Sequence, residues 1–200
     1  NITEYSISRA GPCEETKKYL KIAKELGHKI MAKVQINNTW EFPILPYIPV
    51  FDLVLEHANN LKNIGVEGLM ASWTLGGYPT LSIDLLNEVF SENYDYDAWL
   101  KERFLDNASA VKEASALFSE GFRHFPYHID TVYFGPQALG AANFWHYEDT
   151  QLKATMVTYP YDDMISWFGD RDLKEFHSEL TILVEYLEKG LDCLSDLSGN

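Results

Sequence analysis

Residues 28–36 read HKIMAKVQI, a pattern that indicates a β-strand. Apolar residues occupy every second position, at Ile30, Ala32, Val34 and Ile36, which is the period-two pattern of a strand with one buried side. Helical patterns stand on both sides of this strand. Their apolar positions are Leu20, Ala23 and Leu26 before it, and Phe51, Val54, Leu55, Ala58 and Leu61 after it. A strand between two amphipathic helices predicts an α/β fold.

The first 90 residues are predicted to follow a β-α-β-α-β order. Strands are expected at Glu4–Ser8, Lys29–Ile36 and Gly68–Trp73. Gly27 and Gly65 are expected to end the two intervening helices, since glycine tolerates the left-handed conformation there. This order predicts a parallel sheet with right-handed crossovers. The loops after the strands then meet at one edge, where binding sites gather in such sheets.

The second half of the chain has a different pattern. Helices are predicted at 97–104, 108–122 and 172–194, and aromatic loops lie between them. We therefore divide the chain into residues 1–90, an α/β portion, and residues 91–200, a helical region.

Composition excludes several classes of partner. The 200 residues carry a formal net charge of −14, which disfavours nucleic acid and anionic membrane surfaces. No stretch is long and apolar enough to span a bilayer, and no signal pattern begins the chain. The two cysteines, Cys13 and Cys193, are interpreted as free thiols in a reducing compartment, which favours a cytoplasmic location. Because the first residue is Asn, we expect a processed start or a fragment.

The segment from Gln35 to Glu41 is the strongest candidate for a site. It places amides, an indole and a carboxylate within seven residues at a strand end: Gln35, Asn37, Asn38, Trp40 and Glu41. Sugars are recognised by this chemistry, because indoles stack on their apolar faces and carboxylates or amides bind their hydroxyls. The alternative is a structural loop in which the asparagines bond their own backbone and Trp40 belongs to the core.

A second candidate segment, residues 71–79, follows the next strand. Trp73 ends an apolar run, and a Gly-Gly turn and Tyr78 come after it. Two aromatic strand ends side by side suggest one ligand site. The alternative is that Trp73 packs under the sheet.

Other motifs are weaker. Asp162 and Asp163 could bind a metal or sugar hydroxyls, but an Asp pair before an apolar run is typical of a helix N-cap. The histidines form no metal-binding array, and the phosphate-loop and nucleophile-elbow motifs are absent. We therefore predict no metal and no cofactor.

Two of these segments resemble parts of a known family. Residues 32–41 are similar to the penultimate strand, and residues 68–79 to the last strand, of a (β/α)8-barrel glycoside hydrolase of the β-N-acetylhexosaminidase-like group, family 20 and its relatives. The resemblance implies that residues 1–90 are the last three βα units of a TIM-type barrel, with helices on the outside only. It implies that Trp73 lines the sugar pocket and that Trp40 and Glu41 contact sugar hydroxyls. The catalytic Asp-Glu pair of that family has no counterpart in this sequence.

The sequence thus predicts the C-terminal part of a retaining glycoside hydrolase acting on a neutral or N-acetylated sugar, inactive alone, with its main catalytic acid outside the chain. The expected substrate-binding residues are Gln35, Asn37, Trp40, Glu41, Trp73 and Tyr78. Two alternatives stay open: a complete small α/β enzyme in which Glu41 is catalytic, and a non-catalytic carbohydrate-binding or scaffold domain. A half-barrel exposes strand edges, so the isolated chain is expected to form a homo-oligomer.

Overall fold

The computed structural model describes residues 6–39, 41–42, 45, 47–71, 78–128, 131, 171–195 and 197. These residues form a mixed α/β structure that is mostly helical. The strands are β1 (Met31–Val34) and β2 (Gly68–Ala71). The helices are α1 (Glu14–Glu25), α2 (Phe51–Ile64), α3 (Leu81–Val89), α4 (Tyr96–Phe104), α5 (Ala108–Arg123) and α6 (Leu173–Asp192), and a 3-10 turn (Leu105–Asn107) joins α4 to α5.

The two strands form a parallel pair, which confirms that part of the prediction. Met31 lies opposite Gly68 and Val34 opposite Ala71, with α2 as the crossover between the strands. One face of the pair, which includes Val34 and Ala71, packs against the apolar core. The other face exposes Met31 and Met70, so the core lies on one side of this sheet.

The predicted first strand is wrong where it overlaps the described residues. Ser6–Ser8 forms a turn, in which the Arg9 N–H donates to the Ser6 carbonyl at 3.1 Å. The Ser6 hydroxyl also accepts from the Ser8 N–H at 3.1 Å. Serine hydroxyls offer the backbone such local partners in competition with a strand ladder. Residues 4 and 5 lie outside the described residues.

The other strands are shorter than predicted. β1 covers only Met31–Val34 of the predicted Lys29–Ile36, and β2 ends at Ala71, so the end of the predicted third strand at residues 72–73 lies outside the described residues. The structure therefore supports an α/β fold with two parallel strands.

Helix α2 lies at the centre of the core and is capped from a distance. Its N-cap residue, Val50, has no capping side chain. The free N–H groups of Phe51 and Asp52 instead donate to the hydroxyls of Ser115 and Ser119 in α5, at 2.9 and 3.2 Å. These hydrogen bonds fix α5 against the start of α2. The helix ends at Gly65, whose φ of 73° is the left-handed conformation expected from the sequence.

The helices of the second half confirm the predicted pattern. Helices α4, α5 and α6 fall within one or two residues of their expected bounds, and the Asp172 side chain caps α6 through the Glu175 N–H at 2.7 Å. Helix α3 was not anticipated. Its Asp84 accepts hydrogen bonds from Trp99 Nε1 at 2.9 Å and Arg103 Nε at 2.6 Å, which join α3 to α4.

Helix α1 is attached more loosely than its pattern indicates. Leu20 packs against the core, but Leu26 is 69 % exposed and no residue of α1 is buried. Cys13 and Cys193 form no disulfide, as predicted. Within the described part of the chain, no helix has the length and apolarity needed to cross a membrane.

Candidate functional site

A run of buried polar side chains follows the carboxyl end of β1. Ile36 joins the apolar core, while its neighbours are polar and at most 4 % exposed: Gln35, Asn37, Asn38, Thr39 and, after an interruption, Glu41. Burial of polar groups costs free energy unless hydrogen bonds replace their contacts with water. The partners of these side chains therefore decide what the segment can do.

Glu41 ties this loop to the start of the described chain. Its Oε1 accepts hydrogen bonds from the Ser6 hydroxyl and, at 3.1 Å, from the Ile7 N–H. The hydroxyls of Ser6 and Ser8 lie 2.5 Å apart, so the carboxylate belongs to a small polar cluster. The Ser6–Ser8 turn, found where a strand was predicted, thus supplies hydrogen-bond donors to Glu41.

The environment of Glu41 brings its ionisation close to neutral pH. Burial raises the pKa of Glu41 from 4.5 to about 7, against the hydrogen bonds from Ser6 and the nearby backbone, which lower it. A carboxyl group with such a pKa is suited to proton transfer near pH 7, and perturbed carboxyl groups of this kind gather at functional sites. In its charged form it is a strong acceptor for ligand hydroxyls.

Several buried side-chain atoms of the segment after β1 lack a hydrogen-bond partner among the described residues. They are Gln35 Nε2, Gln35 Oε1, Thr39 Oγ1 and Glu41 Oε2. A buried donor or acceptor without a partner costs about 1–3 kcal/mol. Such groups in a native protein indicate an ordered water or a ligand that completes the set.

The two asparagines act in different ways. Asn38 fixes its own loop, since its Nδ2 donates to the Leu45 carbonyl at 2.5 Å and its Oδ1 accepts from the Ile48 N–H at 2.8 Å. This is the structural role that we kept as an alternative. Asn37 Oδ1 accepts from the Thr80 hydroxyl at 2.9 Å, which joins the loop after β1 to the segment that leads into α3.

Two tyrosines meet at the surface of these loops. The rings of Tyr47 and Tyr78 are stacked, with centroids 6.3 Å apart and planes inclined by 29°. Tyr47 is 40 % exposed and Tyr78 is 68 % exposed. Tyr78 was a predicted site residue, but its partner Tyr47 was not.

Four of the six predicted site residues lie among the described residues. Gln35, Asn37 and Glu41 lie in the buried segment after β1, and Tyr78 lies at the surface. Trp40 and Trp73 lie outside the described residues, as do Asp162 and Asp163. The sequence interpretation missed Ser6, Ser8, Tyr47 and Thr80. The position of Tyr47 in the proline-rich loop after a strand was the available signal.

One other feature of the described residues is a recess beside β2. An apolar recess of about 320 Å³ opens at the amino end of β2, between Val66, Leu86 and Phe90. Among the described residues, no three histidine, cysteine, aspartate or glutamate side chains are grouped so that they could hold a metal ion.

Comparison of the chain with protein-family models, with curated proteins and with solved structures gave no match.

Proposed function

We propose that this chain is the sugar-binding part of a glycoside hydrolase acting on a neutral or N-acetylated sugar. In this proposal β1 and β2 are the last two strands of a (β/α)8 barrel, and the main catalytic acid lies outside the chain. The parallel pair, its single covered face and the polar loops at its carboxyl edge support this assignment.

The observation that carries the proposal is the incomplete pairing of Gln35 and Glu41. Among the described residues, their atoms without a partner comprise a donor, Gln35 Nε2, and two acceptors, Gln35 Oε1 and Glu41 Oε2. An anion offers only acceptors and is repelled by the carboxylate. An ammonium group offers only donors and leaves the Gln35 Nε2 unpaired. Hydroxyl groups donate and accept, so the hydroxyls of a sugar can pair with each of these atoms.

Because these groups are buried, sugar binding requires a conformational change. Glu41 is fully buried and Gln35 is 2 % exposed, so a sugar reaches them only when the segments that cover them move apart. Of the alternative, a non-catalytic carbohydrate-binding or scaffold domain, the same burial favours the scaffold form, in which Glu41 only holds two loops together and binds no sugar. The two functions differ in whether Glu41 affects sugar binding or only stability.

The test is titration calorimetry with glucose and N-acetylglucosamine at about pH 8, where Glu41 is mostly ionised. Glu41→Gln should weaken binding by about 1.5–3 kcal/mol, the contribution of a hydrogen bond to a charged group. Glu188→Gln makes the same chemical change at an exposed position of α6 and should leave binding unchanged.

Three results would contradict the proposal in different ways. If neither sugar binds, the sugar-binding function is wrong. If Glu41→Gln binds as the unmodified chain does, Glu41 has only the structural role. If the chain alone hydrolyses 4-nitrophenyl glycosides and Glu41→Gln abolishes this activity, Glu41 is catalytic and the chain is an enzyme in its own right.

The proposal also includes Trp40 and Trp73, which lie outside the described residues and were expected at the site from the sequence. In it, Trp73 stacks on the apolar face of the sugar. Trp73→Ala should therefore weaken sugar binding, and unchanged binding would remove Trp73 from the site.

A further inference from the structure

We propose that Tyr47 and Tyr78 form an aromatic platform that binds a second sugar ring, so that the preferred ligand is an oligosaccharide rather than a monosaccharide. This inference rests on the proposed function, because it takes the buried segment from Gln35 to Glu41 as the first subsite. It adds a second subsite and specifies an oligosaccharide as the ligand, which the buried residues alone do not.

Tyr47 and Tyr78 lie at the same edge of the sheet as the buried polar segment. Tyr47 belongs to the loop after β1, and Tyr78 lies between β2 and α3, so both rings stand in loops at the carboxyl edge of the parallel pair. The buried polar segment begins at the same edge. The two parts of the proposed site therefore lie in loops at the same edge of the parallel pair.

Buried side chains fix the loops that carry the two tyrosines. Asn38 binds the backbone on both sides of Tyr47, at the Leu45 carbonyl and the Ile48 N–H. Asn37 binds the hydroxyl of Thr80, two residues after Tyr78. The asparagines of the buried segment thus help to position the aromatic pair, which couples the two parts of the site.

Both tyrosine rings are exposed to solvent. Large aromatic rings are costly in water, and Tyr78 leaves 68 % of its surface there although Tyr47 stacks on it. Tyrosine presents a flat apolar face with a hydroxyl at its edge, which suits a ring that has an apolar face and polar rim. A pyranose has this form. The platform carries no charge, which matches a neutral saccharide.

The test compares monosaccharide with trisaccharide binding by calorimetry, with β-1,4-linked glucose and N-acetylglucosamine series as probes. The unmodified chain should bind the trisaccharide of at least one series about two- to twelvefold more tightly than the monosaccharide, the range for one aromatic contact. Tyr78→Ala should abolish most of this preference, and Tyr78→Phe and Tyr78→Trp should retain it.

Tyr19→Ala is the matched control, since Tyr19 is 61 % exposed and lies on α1, away from these loops. It should keep the preference for the trisaccharide. Thermal unfolding of Tyr78→Ala should match that of Tyr19→Ala, because a pair that only clamped two loops would lower stability instead of ligand preference.

The outcomes separate this inference from the proposed function. If the monosaccharide binds and Glu41→Gln weakens it, but the trisaccharide binds no more tightly or Tyr78→Ala keeps the preference, then the platform is wrong and the first subsite stands. If no saccharide of either series binds, both are wrong.

Discussion

The raised pKa of Glu41 predicts how the free energy of unfolding changes with pH. The unfolded chain releases this proton near pH 4.5, whereas the folded chain holds it up to about pH 7. The folded state therefore binds more protons in this window, and the free energy of unfolding must fall as the pH rises from 4.5 to 7. At about 1.4 kcal/mol per pH unit, the contribution is about 3 kcal/mol, fully present below pH 4.5 and lost above pH 7.

Glu41→Gln isolates this contribution, because glutamine has nearly the same shape and carries no ionisable proton. Urea unfolding of both proteins should be measured between about pH 4.5 and pH 8. Relative to the unmodified chain, the variant should gain about 3 kcal/mol of stability across that range. Glu188→Gln should instead follow the unmodified chain at every pH. Parallel curves for the unmodified chain and Glu41→Gln would show that the folded pKa of Glu41 is not raised, and the argument from burial would fail.

Three further predictions concern packing and assembly. Ser115→Ala should lower the free energy of unfolding by about 1 kcal/mol, because it removes the distant cap on Phe51, while the exposed Ser109→Ala on the same helix should not; equal losses would deny the cap. Gly121→Ala should destabilise the chain by about 1–3 kcal/mol in urea despite the higher helix propensity of alanine, since its Cβ would stand 2.8 Å from Tyr186 Cβ; a stabilised variant would mean that α6 moves aside without cost. In sedimentation, the isolated chain should form a dimer or larger oligomer at high micromolar concentration, and a monomer there would count against the half-barrel.

The sequence was most informative where structure depends on neighbouring residues. Helices α2, α5 and α6 were predictable because their apolar residues recur at helical spacing, and Gly65 ended α2 as expected. The sequence was least informative at Ser6–Ser8, which was expected to belong to a strand over Glu4–Ser8. Local hydroxyl contacts and Glu41 hold that segment in a turn instead.

Helix α3 was not predicted, although the sequence contains a signal for its start. Thr80 caps it by accepting from the Ile83 N–H at 3.2 Å, so a start signal was present in the sequence. The helix has only nine residues, and its pattern was too short to stand out from the surrounding loop. Its place is fixed by the hydrogen bonds that Asp84 accepts from α4.

At the candidate site, the types of side chain that follow a strand could be predicted from the sequence: the amides of Gln35 and Asn37 and the carboxylate of Glu41. Their burial, the hydrogen bond from Ser6 to Glu41 across 35 positions and the one between Asn37 and Thr80 across 43 depend on long-range packing. The stacking of Tyr47 on Tyr78 depends on it too. A side chain's type is a local property, whereas its pKa and its unpaired atoms depend on how much water the rest of the fold removes from around it.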